Sequence, residues 1–194
     1  MDVISAEYAD MQRQMHETYE YGVASKKYAH LVAEIIHTLE IDHLLDYGCG
    51  RHMNLFKSLK PILKRPIKYQ GYDPGWPEFS DAPIPANLVC CIDVLEHIEP
   101  ELLDNVLDHL KSLTEAACFL TVHTGPAGKL LPDGRNAHLI QEPMEWWLPK
   151  LAARWDLQTI QRTHAFAFHV IGYAKPKGLE TVSGEQLAEQ KIIS

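Results

Sequence analysis

The sequence HLLDYGCGRHMNLF, residues 43–56, decides the fold class of this chain. A short apolar run ends at Asp46, two glycines separated by one residue follow, and a helical pattern then begins. A strand, a glycine turn and a helix in this order are typical of an α/β sheet that binds a ligand at the carboxyl ends of its strands. Gly48 and Gly50 permit a tight turn and the close approach of a ligand to the main chain.

Strands and helices alternate along the rest of the chain. We expect helices at 1–40, 52–60, 100–116 and 142–155, and Pro149 should interrupt or kink the last of them. We expect strands at 67–73, 86–93 and 117–124, followed by a hairpin of two strands within 156–176. This order predicts a three-layer α/β fold, Rossmann-like, with a mostly parallel sheet and a C-terminal antiparallel strand pair. We expect a single domain over 1–176, with an N-terminal helical segment at 1–40, and a flexible tail at 177–194.

The composition of the chain limits the classes of function and the locations that fit it. The 194 residues carry a net charge of −8, which argues against a protein that neutralises many phosphates of a long nucleic acid. No apolar run reaches the roughly 20 residues that span a bilayer, so no membrane partner is expected. The N-terminus lacks the order of a signal peptide, and a cytoplasmic location is the expectation. The four cysteines form no C-x-x-C pair, and we expect them to be reduced core residues.

The acids near the glycine turn separate two cofactor classes. A dinucleotide fingerprint needs a third glycine where this chain has Met53, and no phosphate-binding G-x-x-x-x-G-K-[ST] sequence occurs. Asp46, at the end of the first strand, suits an ammonium group better than a pyrophosphate. Asp73 ends the second predicted strand, where a carboxylate can accept hydrogen bonds from ribose hydroxyls. The pattern therefore favours S-adenosylmethionine over a nicotinamide dinucleotide.

Three motifs carry a family resemblance. LLDYGCGRHMNL (44–55), YQGYDP (69–74) and LVCCIDVLEHIEPE (88–101) resemble motifs of the class I S-adenosylmethionine-dependent methyltransferases, over about residues 40–125. The resemblance implies the methyltransferase fold, the cofactor S-adenosylmethionine and a set of cofactor contacts. Those contacts are Asp46, Gly48 and Gly50 at the methionine part, Asp73 at the ribose, and Ile92 and Asp93 beside the adenosine and the sulfonium.

Two departures from the family pattern stand out. His52 occupies the position of the last glycine of the family motif, where we expect it to shape the cofactor pocket. Between Asp73 and residue 86 the chain is too short for the helix and third strand of the family, so that strand is expected to be shortened or missing. Trp76 and Phe79 in this loop either cover the adenine or only seal the exposed sheet edge.

The acceptor side is expected after the last two parallel strands. His138, and less so His123, are candidate general bases. Arg135 can hold a carboxylate or phosphate, and Asn136 is a second candidate substrate contact, although a turn with helix capping also explains the DGRNAH sequence. His97 either contacts substrate or packs its turn. No metal is expected, because no H-E-x-x-H sequence or tight histidine and cysteine cluster occurs.

These observations predict an enzyme that transfers a methyl group to an oxygen or nitrogen atom of a small metabolite, sugar or nucleotide. Three alternatives stay open. One is another reaction of the same cofactor, such as elimination. Another is a binding or partner protein that has lost activity. A nicotinamide enzyme is the third. The oligomeric state is left open.

Overall fold

A six-stranded sheet organises the part of the chain that the structure, a computed structural model, describes, residues 2–19 and 23–176. Its strands are β1 (His43–Tyr47), β2 (Lys68–Tyr72), β3 (Ala86–Ile92), β4 (Thr114–His123), β5 (Trp155–His164) and β6 (Ala167–Ala174). The α-helices are α1 (Ala6–Thr18), α2 (Ala24–Thr38), α3 (Asn54–Leu59), α4 (Leu103–Leu113) and α5 (Met144–Arg154). The predicted tail, 177–194, lies outside the described residues.

The strand order is β2-β1-β3-β4-β6-β5. β1 to β4 are parallel, whereas β6 pairs antiparallel with both β4 and β5. The predicted fold class, with its C-terminal antiparallel pair, is confirmed. After β2 the chain passes through residues 73–85, with a 3-10 turn at Pro77–Phe79, and returns to the other side of β1 as β3. No strand of the described residues extends the sheet beyond β2, as the short connection predicted.

Two apolar layers cover the sheet. Helices α2 and α3 pack on the face that carries Leu44 and Cys90, and α4 and α5 pack on the face that carries Leu45 and Cys91. Consecutive strand residues point to opposite faces, so a strand buried on both faces is apolar throughout. This explains the uninterrupted apolar run of β3, and it places all four cysteines in the interior, unpaired.

Two element boundaries differ from the prediction. The helix expected at 100–116 ends at Leu113, and Thr114 already begins β4, where it pairs with Ala86. The expected interruption at Pro149 is absent, because α5 continues through this residue. Pro149 is the sixth of the eleven residues of α5, and its missing N–H removes one intrahelical hydrogen bond.

The expectation of one domain over 1–176 stays a prediction. No helix among residues 2–19 and 23–176 has the length and the apolar character needed to cross a bilayer.

Candidate functional site

The carboxyl ends of β1, β2 and β3 meet at one edge of the sheet and form a cavity. Its lining includes Gly48, Gly50, Asp73, Ile92 and Asp93. All five were expected to contact the cofactor, and they come from three different strand ends. In parallel sheets this edge, beside the point where the strand order reverses, is the usual ligand-binding position. Here β2 and β3 lie on opposite sides of β1, so the strand order reverses at β1 and the cavity lies beside this reversal.

The glycine turn is built by backbone geometry. Gly48 and Gly50 have φ values of 80° and 60°, in the left-handed region that favours glycine. A Cβ atom on Gly48 would lie 2.4 Å from Cγ2 of Val94, so the turn packs directly on the segment after β3. The amides of Gly48 and Cys49 both donate to the carbonyl of Tyr72, at 2.7 and 3.1 Å. These two N–H groups hold β1 to β2, and the turn presents its bare Cα surface to a ligand.

Asp73 connects the two strand ends. Its Oδ2 accepts a hydrogen bond from the Gly50 amide at 2.9 Å, and its Oδ1 accepts one from the Gly75 amide at 3.0 Å. Burial raises the pKa of the Asp73 carboxyl group, whereas His16 and the two amides lower it. Each carboxylate oxygen has a second lone pair for a further donor. Asp73 can therefore accept ribose hydroxyls while it holds the turn in place.

Helix α1 lies across the cavity. Its N-terminus is capped by Ser5, whose side chain accepts a hydrogen bond from the amide of Tyr8 at 3.1 Å. Tyr8, Gln12 and His16 follow one another at four-residue spacing, so they share one face of the helix, and all three line the cavity. This stripe in α1 was not among the expected site residues, although its four-residue spacing is visible in the sequence.

Three contacts anchor α1 to the site. The Tyr8 hydroxyl donates to the carbonyl of His97 at 2.5 Å, and the Ser5 amide donates to the Glu99 carboxylate at 2.8 Å. His16 Nε2 lies 3.9 Å from Asp73 Oδ2, and burial lowers the pKa of this histidine. The helix is thus tied both to Asp73 and to the segment after β3.

Asp46 does not have the expected position. Only 3% of its surface is exposed, it accepts a hydrogen bond from the Tyr69 hydroxyl at 2.5 Å, and it is not one of the described residues that line the cavity. Burial raises the pKa of Asp46 to about 7, although the Tyr69 hydrogen bond opposes this shift. Asp46 therefore belongs to the frame behind the turn.

His52 and Trp76 also lie outside the cavity lining. His52 lines a separate surface groove together with Arg51. The Trp76 ring has the Arg51 guanidinium 5.7 Å from its centroid and meets the His16 ring edge-on at 6.0 Å. Trp76 therefore contacts His16, which lines the cavity, but does not line the cavity itself. No contact places His52 in the cofactor pocket among the described residues.

A groove continues from the cavity towards the loop after β4. Ile92, Asp93 and His97 line both spaces, and the groove adds His123 and His138. The His138 ring centroid lies 4.7 Å from that of His97 and 4.9 Å from that of His123. The structure thus brings the two predicted bases and His97 together, beside the cofactor cavity.

Backbone carbonyls orient two of these rings. His97 Nδ1 lies 2.7 Å from the Ala137 oxygen, and His138 Nδ1 lies 2.7 Å from the Gly125 oxygen. A carbonyl only accepts, so Nδ1 carries the proton in each ring and Nε2 is the unprotonated nitrogen of the neutral imidazole. Burial lowers the pKa of His97 to about 3 and lowers that of His138 as well. Both rings are therefore neutral near neutral pH.

The side chains of Arg135 and Asn136 make their contacts within the loop after β4. The Arg135 Nε atom pairs with the Asp133 carboxylate at 2.7 Å on the exposed side of the loop. Asn136 exchanges two hydrogen bonds with the Ala127 backbone and accepts a third from the His138 amide. Neither residue is among the described residues that line the groove. Asn136 thus positions His138 through the main chain, as the turn explanation of this sequence predicted. The expected helix capping is wrong, because α5 begins only at Met144.

Glu96 was not among the expected site residues. It is fully buried in the 3-10 turn (Leu95–His97) after β3. Its Oε1 accepts a hydrogen bond from the His123 amide at 3.0 Å, whereas Oε2 has no hydrogen-bond partner within the described part of the chain. Burial raises the pKa of Glu96 well above its usual range. Its position directly after a buried strand was the available signal.

The sequence matches a family model described as a methyltransferase domain, over residues 11–171. This range contains the glycine turn, Asp73 and the histidine groove, and it covers most of the chain. No curated protein sequence matches the chain.

Solved structures share the fold at low sequence identity. A 1,6-didemethyltoxoflavin-N1-methyltransferase from Burkholderia thailandensis, with bound 1,6-didemethyltoxoflavin and S-adenosylhomocysteine, matches with a TM-score of 0.60 and 15% identity over 91% of this chain and 94% of that one. The magnesium protoporphyrin IX methyltransferase of Synechocystis, with bound S-adenosylhomocysteine, matches with a TM-score of 0.52 and 13% sequence identity. The match covers 88% of this chain and 95% of that one.

An O-methyltransferase family protein from Burkholderia thailandensis matches at a TM-score of 0.56 and 15% identity. The match covers 79% of this chain but 57% of that protein, so the chain spans little more than half of this relative's length. At these identities the structural matches show a shared fold.

Proposed function

The chain belongs to the methyltransferase domain family, and from that premise we propose that it transfers the methyl group of S-adenosylmethionine to an oxygen or nitrogen atom of a small metabolite, sugar or nucleotide. One observation carries the proposal. The glycine turn and Asp73 line a cavity that continues, past Asp93, into a groove lined by three histidines. A cofactor site and an acceptor site are thus adjacent.

The residues of the cavity fit the cofactor. Asp73 has spare lone pairs for the ribose hydroxyls, and the bare turn at Gly48 and Gly50 admits the amino acid part. Ile92 and Asp93 lie where the cavity joins the groove, which suits the adenosine and the positively charged sulfur. When bound, S-adenosylmethionine supplies a methyl carbon made electrophilic by this sulfur.

The position of α1 sets a condition on binding. With Tyr8, Gln12 and His16 in place, the cavity has a volume of about 90 Å³. Ligand pockets for cofactor-sized molecules have volumes of about 300 Å³ or more. We therefore infer that α1 moves away from Asp73 when the cofactor enters, and that its polar stripe then contacts the bound cofactor.

The groove supplies the groups that an acceptor needs. Methyl transfer requires the acceptor atom to be aligned with the methyl carbon, and water to be excluded. As the acceptor atom forms its bond to the methyl carbon, the carbon–sulfur bond breaks and its electron pair stays on sulfur. The acceptor proton passes to an imidazole nitrogen, for which Nε2 of His138 is the first candidate and His123 the second.

The groove supports a small acceptor. Among its described lining residues, Lys129 supplies the only ammonium group, and the whole chain has a net charge of −8. A surface of this charge lacks the cations that track a phosphate backbone. The Burkholderia thailandensis relative that carries 1,6-didemethyltoxoflavin is an example of a small acceptor on the same fold.

Thermal unfolding with and without S-adenosylmethionine and S-adenosylhomocysteine tests the proposal. A specific ligand at about a hundred times its Kd stabilises the folded chain by about 2.7 kcal/mol. For a domain of this size the Tm should rise by about 5–10 °C. Asp73→Asn should lose most of this rise, because the amide places a donor and a neutral oxygen where the ribose hydroxyls need a carboxylate.

The matched control is Asp81→Asn, an exposed aspartate of the same loop. It should keep the full Tm rise. Absence of any rise in the folded native chain, with either ligand, would contradict the cofactor assignment. An equal rise in Asp73→Asn and in the native chain would place the ligand elsewhere.

A further inference from the structure

We propose that Glu96, His97 and His138 form a binding site for a divalent transition-metal ion. One ligand atom from each of the three residues lies within 4.8 Å of the other two. Glu96 and His97 come from the turn after β3, and His138 comes from the loop after β4, so the cluster is assembled by the fold. The sequence expectation of no metal rested on contiguous ligand motifs, and a site of this kind has none.

The buried carboxylate is the first argument. Glu96 is fully buried, and no arginine or lysine of the described residues forms an ion pair with it. Its Oε1 is held by the His123 amide, which fixes the side chain, while Oε2 has no hydrogen-bond partner in residues 2–19 and 23–176. Buried carboxylates are normally paired or coordinate a metal. A cation between Glu96 and the two rings satisfies this oxygen.

The orientation of the two histidines is the second argument. Metal-binding histidines commonly donate their other ring N–H to a carbonyl or carboxylate, which fixes the ring and its tautomer. His97 and His138 both do so, through the carbonyls of Ala137 and Gly125. In each ring Nε2 is then the coordinating nitrogen. The rings are nearly perpendicular, with an interplanar angle of 85°, and a nitrogen atom of each lies within 4.8 Å of the other and of a Glu96 oxygen.

The donor set indicates the kind of ion. Two imidazoles and one carboxylate suit Zn²⁺, Fe²⁺, Co²⁺ or Mn²⁺, and leave coordination positions open. Ca²⁺ and Mg²⁺ prefer oxygen ligands throughout and fit less well. Asp93 lines the same groove as His97 and His138, and its carboxylate adds negative charge that favours a divalent cation.

The role of the ion in catalysis rests on the proposed function. His97 and His138 line the groove where the acceptor is proposed to lie. A divalent ion there would bind an acceptor oxygen or nitrogen as a Lewis acid and make its proton easier to remove. His138 would then be a ligand, and His123 would become the candidate base.

Metal binding is measurable without cofactor or acceptor. Chelator-treated protein is titrated with Co²⁺, followed by visible absorption, and with Zn²⁺, followed by calorimetry. We expect one ion per chain, and an affinity at least about tenfold lower in His138→Ala and in Glu96→Gln. Glu96→Gln keeps an oxygen that can accept from the His123 amide, so its fold is expected to persist, which thermal unfolding checks.

The control variant is His37→Ala, an exposed histidine of α2 far from the cluster. It should bind as the native chain does, which separates this site from surface histidines. The proposal is overturned if the folded native chain binds neither ion, or if Glu96→Gln and His138→Ala bind both ions like the native chain. Either result leaves the Tm response to S-adenosylhomocysteine unaffected, so failure of the metal site and failure of the cofactor assignment are distinguishable.

Discussion

The cofactor cavity and the acceptor groove share one wall but are built differently. The cavity is formed by backbone turns and by one acid, Asp73, at the ends of consecutive strands, and α1 covers it. The groove is formed by side chains, His97 from one segment and His123 and His138 from another about 26–41 residues later in the chain. Geometry in the cavity is local, whereas geometry in the groove depends on the whole sheet.

This difference decides what a substitution can do. In the cavity a change of side chain acts through the turn that it supports, and stability and binding change together. In the groove the rings of His97 and His138 are held by backbone carbonyls of the loop after β4, so a change of side chain should alter chemistry more than stability.

The largest expected effect is in the groove. His138→Ala removes either the proton acceptor or a metal ligand, and we expect kcat to fall by about a hundredfold. Binding of S-adenosylmethionine should stay close to native, because His138 does not line the cavity. The measurement is release of S-adenosylhomocysteine with an acceptor found by screening the native chain. His164→Ala, an exposed neighbour of His123, is the control and should keep its activity.

The second largest effect is expected on the pH dependence of stability, through the buried carboxyl group of Asp46. Asp46 has a folded pKa of about 7, above its usual unfolded value of about 3.9. The folded chain binds this proton more tightly, so the stabilisation is complete below the unfolded value and is lost as the pH rises through the folded one. Relative to Asp46→Asn, the native free energy of unfolding should fall by about 2.5 kcal/mol from pH 5 to pH 8.

Denaturant unfolding at both pH values measures this difference. Asp81→Asn, which replaces an exposed aspartate and keeps Asp46, is the control. Equal pH dependence of the native chain and Asp46→Asn would show that Asp46 titrates normally. Asp46→Asn should also bind S-adenosylhomocysteine as the native chain does, since Asp46 lies behind the turn. A large loss of affinity for S-adenosylhomocysteine in Asp46→Asn would instead show that Asp46 takes part in ligand binding.

The smallest effect is expected at Arg135. Its ion pair with Asp133 is exposed and does not border the groove, so Arg135→Ala should change kcat/KM by less than about twofold. Lys129→Ala, in the groove wall, is the comparison variant and should change KM for the acceptor more. A strong loss in Arg135→Ala would mean that the loop closes over the acceptor.

The sequence predicted the parts of the site that follow from local backbone geometry. The two glycines, Asp73 and the apolar run that ends at Asp93 fix strand ends, and strand ends of a parallel sheet meet at one edge. The missing strand after β2 followed from the length of one loop. These features need only short spacings along the chain.

The remaining residues depend on distances that spacing along the chain does not supply. Asp46 lies one residue before the end of β1, but its side chain points to Tyr69 rather than to the cavity. Glu96 follows a buried strand, and only the fold shows that it is completely buried. A helix was expected within 1–40, but its position over the cavity was not, because the stripe of Tyr8, Gln12 and His16 is polar and far from the motifs in sequence.

The most direct test of the proposed cofactor site is a crystal structure of the native chain with S-adenosylhomocysteine. We expect the ribose hydroxyls on Asp73, the amino acid part on the turn at Gly48 and Gly50, and the sulfur beside Asp93. We also expect α1 to have moved, with His16 farther from Asp73 than its present 3.9 Å. Ligand bound outside this cavity, or bound inside it with α1 unmoved, would contradict the proposed site.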